Sequence, residues 1–295
     1  MKTIAQPLFK LQNELGEGPL WHPIEKCLYW VDIATGDLFK SNPTLTSFDT
    51  FHFDTMIGAY GFRSDTGLIL ATKEGFSLWK EGQTAPQILW NPLPPREDVR
   101  MNDGKVDPGG RFWAGSMDQD RREGALYRLD PDGSQHSILG NIGISNGIGW
   151  SPDRKTMYYT DSIQSTIFAF DYEVETGNIA NQRPFIQLPE DERGIVPDGL
   201  CVDKEGCIWS AHWNGWEVIR YDPQGKPMLK IEVPSQQVTS CCFGGENLNL
   251  LFITSARIDL PVETLANQPL AGDVFVYETE TQGQKTDFFG QTILK

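Results

Sequence analysis

Five oxygen-bearing side chains stand in short glycine-containing segments that are spread along the chain. They are Glu17 in LGEGPLW, Asn102 and Asp103 in RMNDGKVDP, Asn146 in ISNGIGW and Asp198 in VPDGLCVD. Carboxylate and amide oxygens without thiols suit a hard divalent cation. Two acids and one neutral amide would leave coordination positions open for water or substrate. The same Glu-Gly, Asn-Gly and Asp-Gly pairs are also ordinary turn formers, so residue type alone leaves both interpretations open.

The chemistry depends on whether the fold brings these segments together, and an internal repeat indicates that it does. An anchor residue, an apolar strand, a turn and an aromatic-rich strand recur in this order six times. The anchors lie 40 to 52 residues apart and are Gly18, Gly58, Gly104, Gly147, Gly199 and Ser240. A period in the forties with several short strands per unit is typical of propeller blades.

The rest of the chain also favours strands over helices. Its 29 glycines and 19 prolines interrupt the sequence too often for long helices. Short β-rich runs, such as 27–33, 67–79 and 111–117, lie between turn signals such as DPGG, SPDRK and DKEG. We therefore predict an all-β protein, a six-bladed β-propeller with four antiparallel strands per blade, in which residues 1–295 form a single domain. A large β-sandwich is the alternative, but its strands would not need this recurring order.

The charge of the chain bears on its partners. With 25 Lys and Arg against 40 Asp and Glu, the formal net charge is −15. Nucleic-acid binders usually carry a basic patch that neutralises phosphates, and anionic membranes attract basic segments. The sequence therefore predicts neither nucleic acid nor a membrane as partner. A closed propeller needs no partner to bury its sheet edges, so we expect a monomer.

Segments that direct or anchor a protein are not evident in the sequence. The longest apolar runs, such as 248–253, are far shorter than the ~20 residues that a bilayer requires. The first 18 residues, MKTIAQPLFKLQNELGEG, lack the continuous apolar stretch of a signal peptide. The five cysteines form no CxxC pair, and we expect them to be buried, reduced thiols. These features together predict a cytoplasmic protein.

Several continuous motifs resemble the family that comprises regucalcin (senescence marker protein), gluconolactonase and luciferin-regenerating enzyme. They include RMNDGKVDPGGRFWAGSM, ISNGIGWSPDRKTMYYTDS and PDGLCVDKEGCIW, and the resemblance runs from about Gly16 to about Arg257. It implies a six-bladed propeller, one catalytic divalent metal and hydrolysis of sugar lactones.

The resemblance also implies a ligand set. Position by position, Glu17, Asn146 and Asp198 match the metal ligands of the family, and Asp198 matches its proton acceptor and donor. Oxygen ligands permit calcium, magnesium, manganese, zinc or ferrous iron, so the sequence does not fix the metal. A dication that holds the lactone carbonyl oxygen stabilises the charge that develops there, and a carboxylate beside it can take a proton from water.

Substrate contacts follow from the same comparison. Arg100 and Asn102 match residues that hold sugar hydroxyls or lactone oxygens. A further acidic contact falls on Asp120, but the family usually has Glu there and the local loop is shorter in this chain, so Asp118 is an alternative. His212 follows an inner strand, which makes it a further candidate for a substrate contact at the mouth of the channel.

Two other functions remain open at this stage. A propeller of this kind also serves in calcium-dependent phosphotriesterases that resemble diisopropylfluorophosphatase, although the ND and NG motifs here look closer to those of the lactonases. A non-catalytic calcium-binding regulatory protein is the second alternative. The combination of a ligand set with Arg100 and Asn102 argues against an inactive site.

Overall fold

Short strands and tight turns fold this chain into six antiparallel sheets of four strands each. The computed structural model describes residues 3–291. The innermost strand of every sheet contacts the innermost strands of its two neighbours, so the six sheets close into a ring around a channel. The six-bladed propeller and its four antiparallel strands per blade, both predicted from the repeat, are confirmed.

The first three blades follow one another without crossovers. Their strands are β2 (Gly16–His22), β3 (Cys27–Asp32), β4 (Asp37–Ser41) and β5 (Phe48–His52) in blade 1; β6 (Ile57–Phe62), β7 (Leu68–Thr72), β8 (Gly75–Trp79) and β9 (Gln87–Trp90) in blade 2; and β10 (Arg100–Val106), β11 (Phe112–Met117), β12 (Gly124–Leu129) and β13 (Gln135–Ile142) in blade 3. The apolar run 67–79 is therefore a tight hairpin rather than one strand.

The last three blades continue in the same way, except that the ring is closed by the beginning of the chain. Their strands are β14 (Ser145–Trp150), β15 (Thr156–Asp161), β16 (Thr166–Glu173) and β17 (Asn178–Gln187) in blade 4; β18 (Val196–Val202), β19 (Ile208–Trp213), β20 (Glu217–Tyr221) and β21 (Pro227–Glu232) in blade 5; and β22 (Gln237–Gly244), β23 (Leu250–Ala256), β24 (Val274–Glu278) and the amino-terminal β1 (Gln6–Phe9) in blade 6. Since β1 pairs with β24, backbone hydrogen bonds join the amino-terminal strand to the last strand of the chain and close the ring.

The hydrophobic core is divided among the six interfaces between neighbouring blades. Six clusters of buried side chains lie there, one between each pair of blades. Trp30, Trp113 and Trp209, on the second strands of blades 1, 3 and 5, are at most 1% exposed. The second strand of a blade, such as β3 or β23, is largely apolar because both of its faces are covered by other blades.

Helix is nearly absent from the described part of the chain. The α-helix α1 (Val262–Ala266) has five residues, and a 3-10 turn covers Ser162–Gln164. Within residues 3–291 no helix combines the length and the apolar character that a membrane span requires.

A carboxyl-terminal strap, which we define as residues 279–291, crosses the end of the channel where the innermost strands finish. Gln284 Nε2 donates to the carbonyls of Trp150 and Val202 at 2.8 and 3.2 Å, and Thr286 Oγ1 donates to that of Trp21 at 2.8 Å. The strap encloses a cavity of about 90 Å³ beneath the channel. The predicted functional residues lie at the opposite end, where the same strands begin.

Candidate metal and substrate site

A bulge near the beginning of each innermost strand sets the direction of the predicted ligands. The pairing register shifts just after Glu17 and just after Asn146. In blade 5 the shift falls between Pro197 and Leu200, so it includes Asp198. The other three blades carry a shift at the equivalent place. Bulges re-aim side chains and bend the strand, so the repeat directs one residue per blade toward the channel.

Glycines after these residues allow the innermost strands to come very close together. A Cβ on Gly147 would lie 2.6 Å from the carbonyl oxygen of Asp198, and one on Gly199 would lie 2.1 Å from the Ser240 hydroxyl. Neither distance is sterically possible without movement of the backbone or of a buried side chain. The Asn-Gly and Asp-Gly pairs that resemble turn formers in the sequence are therefore points of close strand approach around the channel.

A chain of hydrogen bonds joins the predicted substrate and metal residues across three blades. Arg100 Nη1 donates to Asn102 Oδ1 at 2.7 Å. Asn102 Nδ2 lies 3.2 Å from Asn146 Oδ1, to which it donates. Asn146 Nδ2 donates to the Ser162 hydroxyl at 2.9 Å, and this hydroxyl donates to the Pro197 carbonyl at 2.7 Å. Because Pro197 precedes Asp198, the chain connects Arg100 to the strand that carries the third predicted ligand.

Three carboxylates share this end of the channel. Burial raises the pKa of Glu17 to about 8, and the charge of Asp103 adds to the rise. Burial also raises the pKa of Asp198 well above its usual range, with further contributions from Glu17 and Asp103. Neighbouring carboxylates raise one another's pKa because two like charges repel, so ionisation of all three groups at once is unfavourable. Glu17 and Asp198 are 6% and 5% exposed, so water screens the repulsion poorly.

Two cationic side chains offset part of this charge. Burial lowers the pKa of the Arg100 guanidinium to about 10, against the opposing effect of Glu17 and Asp198. Lys105 Nζ donates to the Leu200 carbonyl at 2.9 Å, reaching from blade 3 to blade 5, and its charge lowers the pKa of Glu17. Three acids against two bases leave an excess of negative charge when all are ionised.

These residues fit a hard divalent cation. Asp198 Oδ1 is fully buried and has no hydrogen-bond partner among the described residues, although a buried carboxylate oxygen ordinarily has one. Glu17 receives one hydrogen bond, from the Gly18 amide at 2.8 Å. The ligand atoms that these side chains offer are carboxylate and amide oxygens, which suit a hard ion. Such an ion would offset the carboxylate repulsion and complete the contacts of Asp198.

The two acidic candidates for a further substrate contact differ in their surroundings. Asp120 lies exposed in the loop after β11. Asp118, on the same loop, is 2% exposed. Its two oxygens accept from Arg96 at 2.6 and 3.3 Å, and Oδ1 also accepts from the Arg121 amide at 3.2 Å. Asp118 therefore joins the loop before β10 to the loop after β11, and its carboxylate already has partners, whereas that of Asp120 is exposed; which of the two contacts substrate remains a prediction.

His212 lies within β19, opposite Pro197 of the innermost strand, and its side chain is held by its own blade. Its Nδ1 lies 3.1 Å from Glu217 Oε1, and its Nε2 lies 3.2 Å from the Tyr221 hydroxyl. The ring lines a cavity of about 250 Å³ together with Leu188 and Ile195. These hydrogen bonds hold the side chain against partners within its own blade, and a substrate contact by His212 remains a prediction.

Asp203, Glu205 and Cys207 form a second group whose ligand atoms lie within 4.8 Å of one another. Asp203 Oδ1 already accepts from the amides of Glu205 and Cys207, and its Oδ2 accepts from Trp209 Nε1 and Arg220 Nε, all at 2.9 Å. Each oxygen of this fully buried carboxylate thus has two donors, Oδ1 from the turn after β18 and Oδ2 from side chains of β19 and β20. The group anchors a turn and a tryptophan, which explains why its residues are close.

Two residues of the site were not predicted from the sequence. Ser162 lies in the motif TMYYTDS, and nothing in its type distinguishes it from a turn residue. Lys105 lies in NDGKVDP, where its side chain points across the channel rather than to solvent. The available signal was their position in the repeat: Ser162 directly follows the aromatic-rich strand, and Lys105 lies two residues after Asp103.

Comparison with known proteins agrees with this geometry. The family described as SMP-30/Gluconolactonase/LRE-like region matches residues 15–257. The chain belongs to this family. Regucalcin of Danio rerio is 37% identical over 275 residues, which cover 91% of this chain and 92% of that protein. The family predicted from the motifs is therefore confirmed, and its matched region contains every predicted site residue from Glu17 to Asp198.

Solved structures of family members have the same fold. A structure described as a calcium-binding protein, regucalcin, from Agrobacterium tumefaciens has a TM-score of 0.92 and 26% identity, and it covers 97% of each chain. A luciferin-regenerating enzyme has a TM-score of 0.89 and 29% identity, with 98% of this chain and 99% of that chain covered. Proteins with different names thus share this propeller, so the activity must be argued from the site.

Proposed function

We propose that this SMP-30/gluconolactonase-like protein is a metal-dependent sugar lactonase, which hydrolyses aldonolactones to aldonic acids. The observation that carries the proposal is the buried Asp198 carboxylate, whose Oδ1 has no hydrogen-bond partner among the described residues and whose pKa is raised in part by Glu17. Arg100 and Asn102 support the proposal, because hydrogen bonds connect them to Asn146, another of the proposed ligands. Ligands for a dication and donors for a polyhydroxylated ester therefore stand together.

Each side chain has a specific task in this proposal. Glu17, Asn146 and Asp198 would hold the divalent cation, which when bound supplies Lewis-acid polarisation of the lactone carbonyl and a more acidic water. Asp198 accepts the proton of the attacking water and returns it to the ring oxygen as the ester bond breaks. Arg100 and Asn102 orient the lactone through its hydroxyls and ester oxygens, and Asp120 supplies a further acceptor at the mouth.

The position of Asp198 suits the transfer of a proton. A carboxylate has two oxygens, so one can ligate a cation while the other accepts from water. Arg100 is only partly buried and presents several donors in a fixed fork, which suits both the lactone and the carboxylate product.

The nature of the metal is part of the proposal. Oxygen donors without sulfur or imidazole permit calcium, magnesium, manganese, zinc or ferrous iron. Calcium is the first ion to test, because the similar structure from Agrobacterium tumefaciens is described as a calcium-binding protein. That description also keeps a non-catalytic calcium-binding function as the second candidate.

Metal-stripped protein assayed on a panel of aldonolactones tests the proposal, with each of the five metals restored in turn. We expect no hydrolysis without metal and recovery with at least one dication. A phosphotriester in the same panel examines the diisopropylfluorophosphatase-like alternative. Binding of calcium without turnover of any substrate would favour the regulatory alternative, and full lactonase activity in verified metal-free protein would refute the role of the metal. Size-exclusion chromatography with light scattering tests the proposed monomer.

A further inference from the structure

Ser162 occupies a position between two of the proposed ligands. It begins the short 3-10 turn after β15 and is 3% exposed. Its hydroxyl accepts from Asn146 Nδ2 at 2.9 Å and donates to the Pro197 carbonyl at 2.7 Å. The residue therefore contacts the side chain of one proposed ligand and the backbone that leads directly into another, Asp198.

The polarity of this contact is determined by its partners. A serine hydroxyl has one proton, and a backbone carbonyl can only accept. The proton of Ser162 is used by the Pro197 carbonyl, so the hydroxyl must act as acceptor toward Asn146. An amide offers donors only on its nitrogen. Asn146 must therefore turn Nδ2 toward Ser162, and its Oδ1 faces the opposite way.

The other end of the chain agrees with this orientation. Arg100 is donor only, so Asn102 turns Oδ1 toward it. Asn102 Nδ2 then faces Asn146 Oδ1 at 3.2 Å and the Ser145 carbonyl at 2.7 Å. The orientation of both amides is thus set from two ends by groups whose polarity cannot change.

We propose that Ser162 is a positioning residue for the metal site, because its hydroxyl fixes the Asn146 amide with the oxygen directed to the cation. The inference rests on the proposed metal-binding function and assigns Ser162 no contact with the cation itself. Without the hydroxyl, Asn146 loses the acceptor for its nitrogen, and only the 3.2 Å contact from Asn102 Nδ2 still holds its orientation. Loss of a residue that orients a ligand typically weakens metal binding by about 10- to 100-fold.

The test measures calcium and manganese affinity by isothermal titration calorimetry on metal-stripped protein, without any activity assay. Ser162→Ala is expected to weaken binding of at least one ion by about 10-fold or more. Ser162→Thr retains the hydroxyl and is expected to restore most of the affinity. Ser77→Ala is the matched control, because Ser77 is also fully buried in a blade but its hydroxyl has no hydrogen-bond partner among the described residues.

A double-mutant cycle separates orientation from general support of the fold. In the Asn146→Asp background both ends of the side chain are oxygens, so the direction in which it turns no longer matters. In that background Ser162→Ala should weaken metal binding by less than about threefold. An equal loss in both backgrounds, or wild-type affinity in Ser162→Ala, would overturn the positioning role while leaving the proposed function intact. If the wild-type protein binds neither ion, the titration is repeated with magnesium, zinc and ferrous iron, and failure to bind any of the five would overturn both.

Discussion

Arg100 and Asn102 face the same side of β10, and their side chains are joined by a hydrogen bond of 2.7 Å. Met101 between them is 1% exposed and packs into the core between blades 2 and 3. Alternation along an extended strand predicts this arrangement. Through this contact the Arg100 guanidinium also fixes the orientation of the Asn102 amide, with Oδ1 toward Arg100. Arg100 therefore affects two of the proposed substrate contacts.

Replacement of Arg100 by alanine is expected to lower kcat/KM for aldonolactones by roughly 10- to 100-fold, since hydrogen bonds to charged groups contribute about 1.5–3 kcal/mol. The loss should be smaller for a simple lactone without hydroxyls, which has fewer polar contacts to lose. Steady-state kinetics on both substrates, with metal content measured by mass spectrometry, provides the comparison. Arg183→Ala is the control, because Arg183 pairs with Asp171 on the exposed outer edge of blade 4.

Loss of metal from Arg100→Ala would show instead that the residue supports the ligands rather than the substrate. A larger effect on a phosphotriester than on lactones would favour the phosphotriesterase alternative. Both outcomes can be read from the same set of measurements.

The proton-accepting role of Asp198 predicts a different kinetic pattern. Asp198→Asn retains an oxygen but removes the base, so kcat should fall by ~10²–10⁴. Metal affinity should also weaken because one negative charge is lost. Rates must therefore be measured at saturating metal, with occupancy verified. A saturated variant that keeps nearly wild-type kcat would identify another group as the base.

Much of the fold could be predicted because it depends on local, repeated signals. The anchors at Gly18, Gly104, Gly147 and Gly199 mark the same place in successive blades, and each lies where the structure has a bulge or a close approach of strands. A repeat constrains all blades at once, so errors at single turns do not change the architecture. The hairpin within 67–79 was missed because its turn has no Asn-Gly or Asp-Gly signal.

The site could be predicted only in part, because some of its residues act through contacts distant in sequence. Ser162 contacts Asn146 and Pro197, which are 16 and 35 residues away. His212 lies in β19 opposite Pro197, at the end of the blade where the site is predicted, yet Glu217 and Tyr221 hold its ring. Neither arrangement leaves a local pattern, since each depends on which blades are neighbours and on the rotation of one side chain.

The raised pKa of Glu17 predicts how pH affects the metal-free protein. Its pKa is about 8 in the folded state against 4.5 for the free side chain, so the folded state binds more protons between these values. The free energy of unfolding should therefore fall as pH rises from about 4.5 to about 8. Calorimetry of chelated protein should show a lower Tm at about pH 8 than at about pH 5.5.

Bound metal should reduce this dependence, because a dication favours the ionised carboxylate at both pH values. Glu17→Gln should reduce it as well, since the amide does not titrate. A chelated wild-type protein whose Tm is unchanged or higher at about pH 8 would mean that the charge of Glu17 is offset in some other way.

The loop after β11 offers a test of which aspartate contacts the substrate. Asp120 is exposed, whereas Asp118 is buried against Arg96 and the Arg121 amide. Asp120→Asn should raise KM for polyhydroxylated lactones by several-fold and leave the free energy of unfolding unchanged. Asp118→Asn should lower the free energy of unfolding by about 1.5–3 kcal/mol, because it breaks charged hydrogen bonds. Urea unfolding and steady-state kinetics on both variants supply the measurements. If Asp118→Asn raised KM at unchanged stability while Asp120→Asn had no effect, the substrate contact would belong to Asp118.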